Sequence, residues 1–371
     1  MALATWAVAL LRLVLASRAL RPQQHLWQLE SAPAIAPPAR KAAKASKLEV
    51  KADVQPRGLM KSWLSHEQAG LPPCDELPGD GNRTLDSALN LSACTWRASG
   101  AQVLLGAPLT FQGDLVLQGE LQITGAKELD RPCITVLGNL TLVDARVSFL
   151  NCKEQVQVSN LGGALFVQED LSAFNSSIAF KNCRGTSGGG LHAKSFLLEQ
   201  SKADFDNCTA SSMNGGGGGA YIKETFRMNA NSSASFRGCS AELGRGGGLH
   251  AESFLLEQSK ADFDNCTASE VMGGGGGAYI KETFRMNFNS SASFRGCSAE
   301  LGGGLHAKSF LLEQSKADFD NSMASGLYTG GGGGAHIVET FRMNINSSAS
   351  FRGCSAENGV LVARSSRGKV W

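Results

Sequence analysis

The chain has 371 residues, 42% of them hydrophobic, with 44 glycines, only three tyrosines and a formal net charge of +2. So small a net charge argues against a strongly basic polyanion binder, and no nucleic-acid partner is expected. Glycine at this density points away from a helical enzyme and towards tightly turned repeats, while the length allows one large domain or two to three ordinary ones.

Residues 1–20, "MALATWAVALLRLVLASRAL", are apolar, lack acidic side chains and end in an A-S-R-A stretch at Ala16–Ala19. They read as a secretory signal, so a secreted or cell-surface location is expected. Arg12 interrupts the apolar run and the first acid is Glu30, which makes an organelle-targeting peptide the alternative. Residues 21–57 contain the Ala/Pro/Lys-rich stretch Ser31–Lys47 and read as a linker. No later apolar run approaches the ~18 residues that span a bilayer, so no transmembrane segment is expected beyond the signal-like one. Residues 58–100, with "LPPCDELPGDGNRT", read as an irregular cap in which Cys74 and Cys94 can pair.

From residue 101 to 357 the sequence reads as coils of a solenoid. The first, such as "LTFQGDLVLQGELQITG", are degenerate and alternate apolar with polar residues. From Gly188 two unit types alternate. "GGGLHAKSFLLEQSKADFDNCTA" and its copies start at Gly188, Gly246 and Gly302; "GGGAYIKETFRMNANSSASFRGCSA" and its copies start at Gly217, Gly275 and Gly332. Each unit is short of helix signal and holds three short strands and three corners, the size of one coil of a parallel β-helix. The glycine tracts open each coil as corners. They are not phosphate loops, since no G-x-x-x-x-G-K-[ST] follows, and no cofactor is implied. Copy differences ("SSMN", "SEVM", "SGLYT") gather just before them. Residues 358–371 form a tail.

Three aligned columns define the coil. Phe149, Phe180, Phe205, Phe236, Phe263, Phe294, Phe319 and Phe351 predict an inward aromatic ladder at the ~4.8 Å strand spacing. The next position reads Lys181, Asp206, Arg237, Asp264, Arg295, Asp320 and Arg352, its charge changing sign at every coil. Opposite charges on neighbouring strands are favourable, which explains why the duplicated unit is a pair of coils. After it come Asn182, Asn207, Gly238, Asn265, Gly296, Asn321 and Gly353. Asn and Gly exchange where φ is positive, so a left-handed corner is predicted there.

The "GGAL" at Gly162–Leu165 and the later "GGGAY", followed by "FKNC", "FDNC" and "FRGC", resemble the repeats of the chlamydial polymorphic outer-membrane proteins. The likeness covers about Gly138–Glu357, with Cys or Ser where that family's FxxN element closes on Asn. It implies a pectin-lyase-like fold: a right-handed, single-stranded parallel β-helix of about nine coils. The expected class is therefore all-β.

The Asp residues of "ADFDN" invite a polysaccharide-lyase reading, since such β-helix enzymes use clustered carboxylates. Yet Asp206 and Asp264 fall on alternate coils, ~9.6 Å apart, with Arg237 between them. That makes a charge ladder, and no catalytic, cofactor or metal residues are assigned. His192, Tyr221, His250, Tyr279, His306 and His336 share one column flanked by inward positions, so an outward aromatic strip is expected, either for a flat partner such as a sugar or as simple cross-strand stacking. Cys152, Cys183, Cys208, Cys239, Cys266 and Cys297 form a further column, interrupted by Ser322 before Cys354. Tolerance of Ser322 favours buried thiols over a chain of disulfides. Nine N-x-S/T sequons occur, at Asn82, Asn90, Asn139, Asn175, Asn207, Asn231, Asn265, Asn289 and Asn346. The expected function is structural or adhesive, through a repetitive face that meets glycans or surface proteins. The alternative is a carbohydrate-active enzyme with its site in the degenerate coils before residue 188.

Overall fold

The structure, a computed structural model, describes residues 71–155, 162–212, 215–269, 274–326 and 331–357. The chain divides into two units, 1–56 and 57–371, and every described residue lies in the second. The signal-like segment, the linker, the tail and most of the variable loop residues lie outside the described residues.

The described residues form an all-β parallel solenoid. No helix occurs among them, and so none long and apolar enough to cross a membrane. Each regular coil has a lead strand (Leu191–Glu199, for example), a second strand (Lys202–Asp206) and a two-residue third strand (Thr209–Ala210). Each strand of an interior coil pairs in parallel with its equivalent one coil before and one coil after: Leu191 lies between Leu165 and Ala220, and Phe205 between Phe180 and Phe236. The third strands build a sheet of nine members, hence eight full turns from first to last.

The core follows from strand alternation. Ala203 and Phe205 point inward while Lys202, Asp204 and Asp206 point outward. Rings in the expected Phe column stack with centroids 4.7–5.0 Å apart from Phe149 through Phe351. A second stack, not anticipated from sequence, runs through Phe196, Phe226, Phe254, Phe284, Phe310 and Phe341 at 4.8–5.5 Å. It escapes a simple alternation count because the register shifts between Ala193 and Phe196, and again at the equivalent place in the following lead strands. That bulge turns two positions of opposite parity to the same side.

The glycine tracts have two steric causes. The first glycine of a tract turns left-handed, as at Gly217 (φ 64°). The third crosses the face of the Phe ladder: a Cβ on Gly219 would lie 2.7 Å from the Phe236 ring. The Asn/Gly corner is present as expected, from Asn182 (φ 54°) to Gly353 (φ 59°). The alternation has its own reason, because a Cβ on Gly238 would meet Asn207 Oδ1 at 2.5 Å. In the duplicated coils an Asn side chain leans over the next coil where glycine leaves room for it, whereas Asn182 accommodates Asn151 by donating Nδ2 to its Oδ1 at 3.4 Å.

One boundary moves relative to the sequence reading. Coiling starts before residue 101: Cys94–Leu105 already pairs in parallel with Leu115–Gly125, and Asn82–Leu85 with Gln102–Leu105. Only residues 71–81 act as a described cap. They are tied down by the Cys74–Cys94 disulfide and by Trp96 Nε1 donating to the Pro78 carbonyl at 2.8 Å. Cys152 leaves the thiol column and forms a disulfide with Cys133, because the degenerate coil brings a second cysteine to that corner. Cys183, Cys208, Cys239, Cys266, Cys297 and Cys354 remain free and buried.

Among the described residues the apolar cover thins at the last coil. Met228 and Met286 are fully buried, but their equivalent Met343 is 41% exposed, and neighbouring Ile345 is 82% exposed.

Candidate functional site

Three outward surfaces can carry function: the aromatic column on the lead strands, the polar rows on the second strands, and a groove at the corner between them. Each is fixed by register.

The aromatic column is continuous. Phe166, His192, Tyr221, His250, Tyr279, His306 and His336 stack with centroids 4.8–5.1 Å apart. It does not form the open strip expected from sequence. The glycine-rich segments fold back over it: a Cβ on Gly216 would sit 2.5 Å from His250 Nδ1, and one on Gly274 would lie 2.4 Å from His306 Nδ1. His192 is only 4% exposed, and the other five expected members are half-buried. Both ring nitrogens of His192 and Nδ1 of His250 have no hydrogen-bond partner of good geometry among the described residues. Burial is the main cause that holds His192, His250 and His306 down at about 3, with Lys223 adding to it at His192, Arg245 and Lys281 at His250, and His336 and Arg245 at His306. His336 is lowered by burial as well. Nδ1 of His306 and Nδ1 of His336 approach to 3.2 Å, which brings two nitrogens together and no third ligand among the described residues. Arg245 lies over the Tyr279 ring at 5.1 Å and donates to its hydroxyl at 3.0 Å. The column is a packed seam under loops, with little ring face left for a flat ligand.

The second strands present the charge ladder in the expected order. Lys181 faces Asp206, which faces Arg237, then Asp264, Arg295, Asp320 and Arg352. Among the described residues no ion pair within 4.0 Å links these seven to one another, so they interact across the strand spacing. The close pairs on this face lie two residues apart within a strand: Lys202–Asp204, Lys260–Asp262 and Lys316–Asp318, each at 2.7 Å. Coils with Lys and Asp at these positions alternate with coils carrying Ser233 and Ser235, or Ser291 and Ser293. The face therefore repeats every two coils, ~9.6 Å.

The groove was not located residue by residue in the sequence. Two open depressions of about 490 and 520 Å³ share Glu120, Arg146, Ser177 and Lys202. Asp144, Asn175, Gln200 and Asn231 line the first along the corner, and Gln102, Gln122 and Asp204 line the second. The floor is a serine ladder: the Ser176 N–H donates to Ser201 Oγ at 3.0 Å, and the Ser201 N–H to Ser232 Oγ at 3.2 Å. Its one sequence signal is a Ser at a nearly fixed offset after the lead strands. Glu120 is ion-paired with Arg146 at 3.7 Å, the two side chains being 63% and 77% exposed. Such walls of amides, hydroxyls and balanced charges suit hydrogen bonding to a polar, extended ligand.

Fold and surfaces together define a repeat-built parallel β-solenoid with polar, translationally uniform outer faces. No protein-family model, no curated protein and no solved structure matches the chain.

Proposed function

We propose that this is a secreted or surface-exposed, non-catalytic solenoid, similar in construction to the polymorphic outer-membrane repeat proteins. Its role is structural and adhesive, and its partners are glycans or surface proteins held along the second-strand face. The observation that carries this reading is the two-coil period of that face. Lys202–Asp204, Lys260–Asp262 and Lys316–Asp318 recur with the same 2.7 Å geometry, so each coil pair offers one identical weak contact. Identical contacts in a rigid row gain strength by multivalency, as adhesion requires, whereas catalysis requires one convergent site. Binding of the full chain to immobilised glycans and matrix proteins tests it. Retention that weakens stepwise as Lys202, Lys260 and Lys316 are changed to Ser in turn supports the reading; retention indifferent to all three contradicts it.

One observation favours the enzymatic alternative. The groove lies in and beside the degenerate coils, where Glu120 and Asp144 are acids with no acidic counterparts in the later copies, while the column of Arg146 continues as Lys202, Lys260 and Lys316. Release of reducing or unsaturated ends from acidic polysaccharides, abolished by Arg146→Ala, would favour it over adhesion.

A further inference from the structure

All nine sequon asparagines are exposed, but the solenoid sorts the ones in its repeats into two unlike columns. Asn175, Asn231, Asn289 and Asn346 occupy the corner between lead and second strands. Each turns left-handed there (φ 47°, 63°, 59° and 60°), and Gln200, Gln258 and Gln314 take the same corner in the alternate coils. Asn207 and Asn265 occupy the next corner, after the second strand.

The two columns hold their amides differently. The side chains of Asn231 and Asn289 make no hydrogen bond, ion pair or other polar contact among the described residues, and their backbone N–H groups are already used, donating to the Gln258 and Gln314 carbonyls at 2.8 Å. The residue after each is a buried serine, Ser232 or Ser290, so the chain is anchored next to an asparagine that projects into solvent. By contrast, Asn207 lies over Gly238 and Asn265 over Gly296, in the space where a Cβ would collide with Oδ1. Asn207 and Asn265 are also exposed and make no side-chain hydrogen bond among the described residues, but with Oδ1 laid against the next coil a glycan there has less open space around it than one at Asn231 or Asn289.

We infer that Asn231 and Asn289 are N-glycosylation sites, and that the folded, exported protein carries glycans at this corner in preference to Asn207 and Asn265. The inference rests on the secretory reading above. In the transfer, Asn Nδ2 attacks the anomeric carbon of an oligosaccharide borne on a lipid pyrophosphate. The C1–Nδ2 bond forms, the C1–O bond to phosphate breaks, the lipid pyrophosphate leaves with the electron pair, and the amide proton passes to a base on the transferase. Ser233 and Ser291 supply the hydroxyl of each sequon. The result is a row of glycans two coils apart, ~9.6 Å, along one edge. The first stands at the rim of the groove, which Asn231 lines.

The test uses the full chain expressed in a glycosylating eukaryotic host in two forms, one with its own N-terminus and one behind a secretion signal of proven function, both with a reporter sequon on an appended tag. Glycans are removed enzymatically in heavy-oxygen water, and each sequon is read by peptide mass spectrometry in the secreted and the retained pools. The expected result in the second form is heavy-oxygen aspartate at positions 231 and 289 in the majority of secreted molecules, with little at 207 and 265. Asn231→Gln with Asn289→Gln should remove two steps of gel mobility and leave the melting transition in place. Unmodified Asn231 and Asn289 beside an occupied reporter overturns the inference, and so does equal occupancy of Asn207 and Asn265 in the secreted pool. If the second form yields no secreted protein, the retained pool decides by the same sites and the same reporter. Failure of the first form alone to reach the secretory pathway counts against the secretory reading and leaves the site assignment to the second form.

Discussion

Acid should loosen this solenoid from its histidine seam. The ordinary histidine value is 6.5, and in the folded chain His192, His250 and His306 are held at about 3. A base whose folded value is depressed binds its proton more readily when unfolded. Its contribution to stability is therefore complete above pH 6.5 and is lost as pH falls from there towards 3. Each unit below the ordinary value costs about 1.4 kcal/mol per group, so at about pH 5 the loss is about 2 kcal/mol each and about 6 kcal/mol for the three if they act independently. That rivals the whole stability of an ordinary domain, roughly 5–15 kcal/mol. Because coils contact only their neighbours, the loss should first appear locally, as opening of the glycine segments over the rings. The assay is urea unfolding at pH 7.5, 6 and 5, paired with amide hydrogen exchange at Gly162, Gly216 and Gly274, which lie against His192, His250 and His306. The control is the triple variant His192→Phe, His250→Phe, His306→Phe, since Phe166 already occupies this column one coil earlier. A midpoint that does not move between pH 7.5 and 5, or a loss of the same size in the triple variant, would refute the reasoning.

Replacing Phe236 by Ala removes a ring stacked at 4.7 Å on one side and 4.8 Å on the other, in a core position with no exposure. It should lower unfolding stability by about 3–5 kcal/mol, measured by denaturant titration. Arg237→Asp places one more acid between Asp206 and Asp264, three in a row, but the pairs here are not in contact; the expected loss is about 1 kcal/mol at low salt, shrinking as ionic strength rises, and an unchanged melt at low salt would remove any role for the ladder in register. Mass spectrometry of alkylated, unreduced protein should find Cys74 joined to Cys94 and Cys133 to Cys152, with Cys183, Cys208, Cys239, Cys266 and Cys297 as thiols; a Cys208–Cys239 or Cys266–Cys297 link would contradict the packing account.

What was legible in the sequence follows from the physics of stacking. Duplicated coils place equivalent residues on top of one another, so the inward column from Phe149 to Phe351, the alternating charges and the left-handed Asn/Gly corner could all be read by aligning the copies. The second Phe stack was hidden by the bulge after Ala193, which breaks the two-residue period on which alternation depends. The covering of the histidine column was hidden for a different reason. Alternation tells which way a side chain leaves its strand, but not whether a loop returns over it, and the glycines that do so were visible only as corners. The groove joins Glu120, Arg146, Ser177 and Lys202, most of them from degenerate coils whose mutual register no internal copy could supply.

The thinner apolar cover of the last described coil has a mechanical consequence. Inter-coil hydrogen bonds run along the solenoid axis while the chain circles around it, so a pull on the ends loads one rung at a time. Met343, exposed where Met228 and Met286 are buried, marks the described rung with the least apolar cover, and peeling should begin there. At the opposite end the Cys74–Cys94 and Cys133–Cys152 crosslinks close the first coils against the same pull. Coil lengths run from 25 residues, Phe180 to Phe205, to 32, Phe319 to Phe351. Under tension the described coils should release length in discrete steps of 25 to 32 residues, each coil giving way while its neighbours hold.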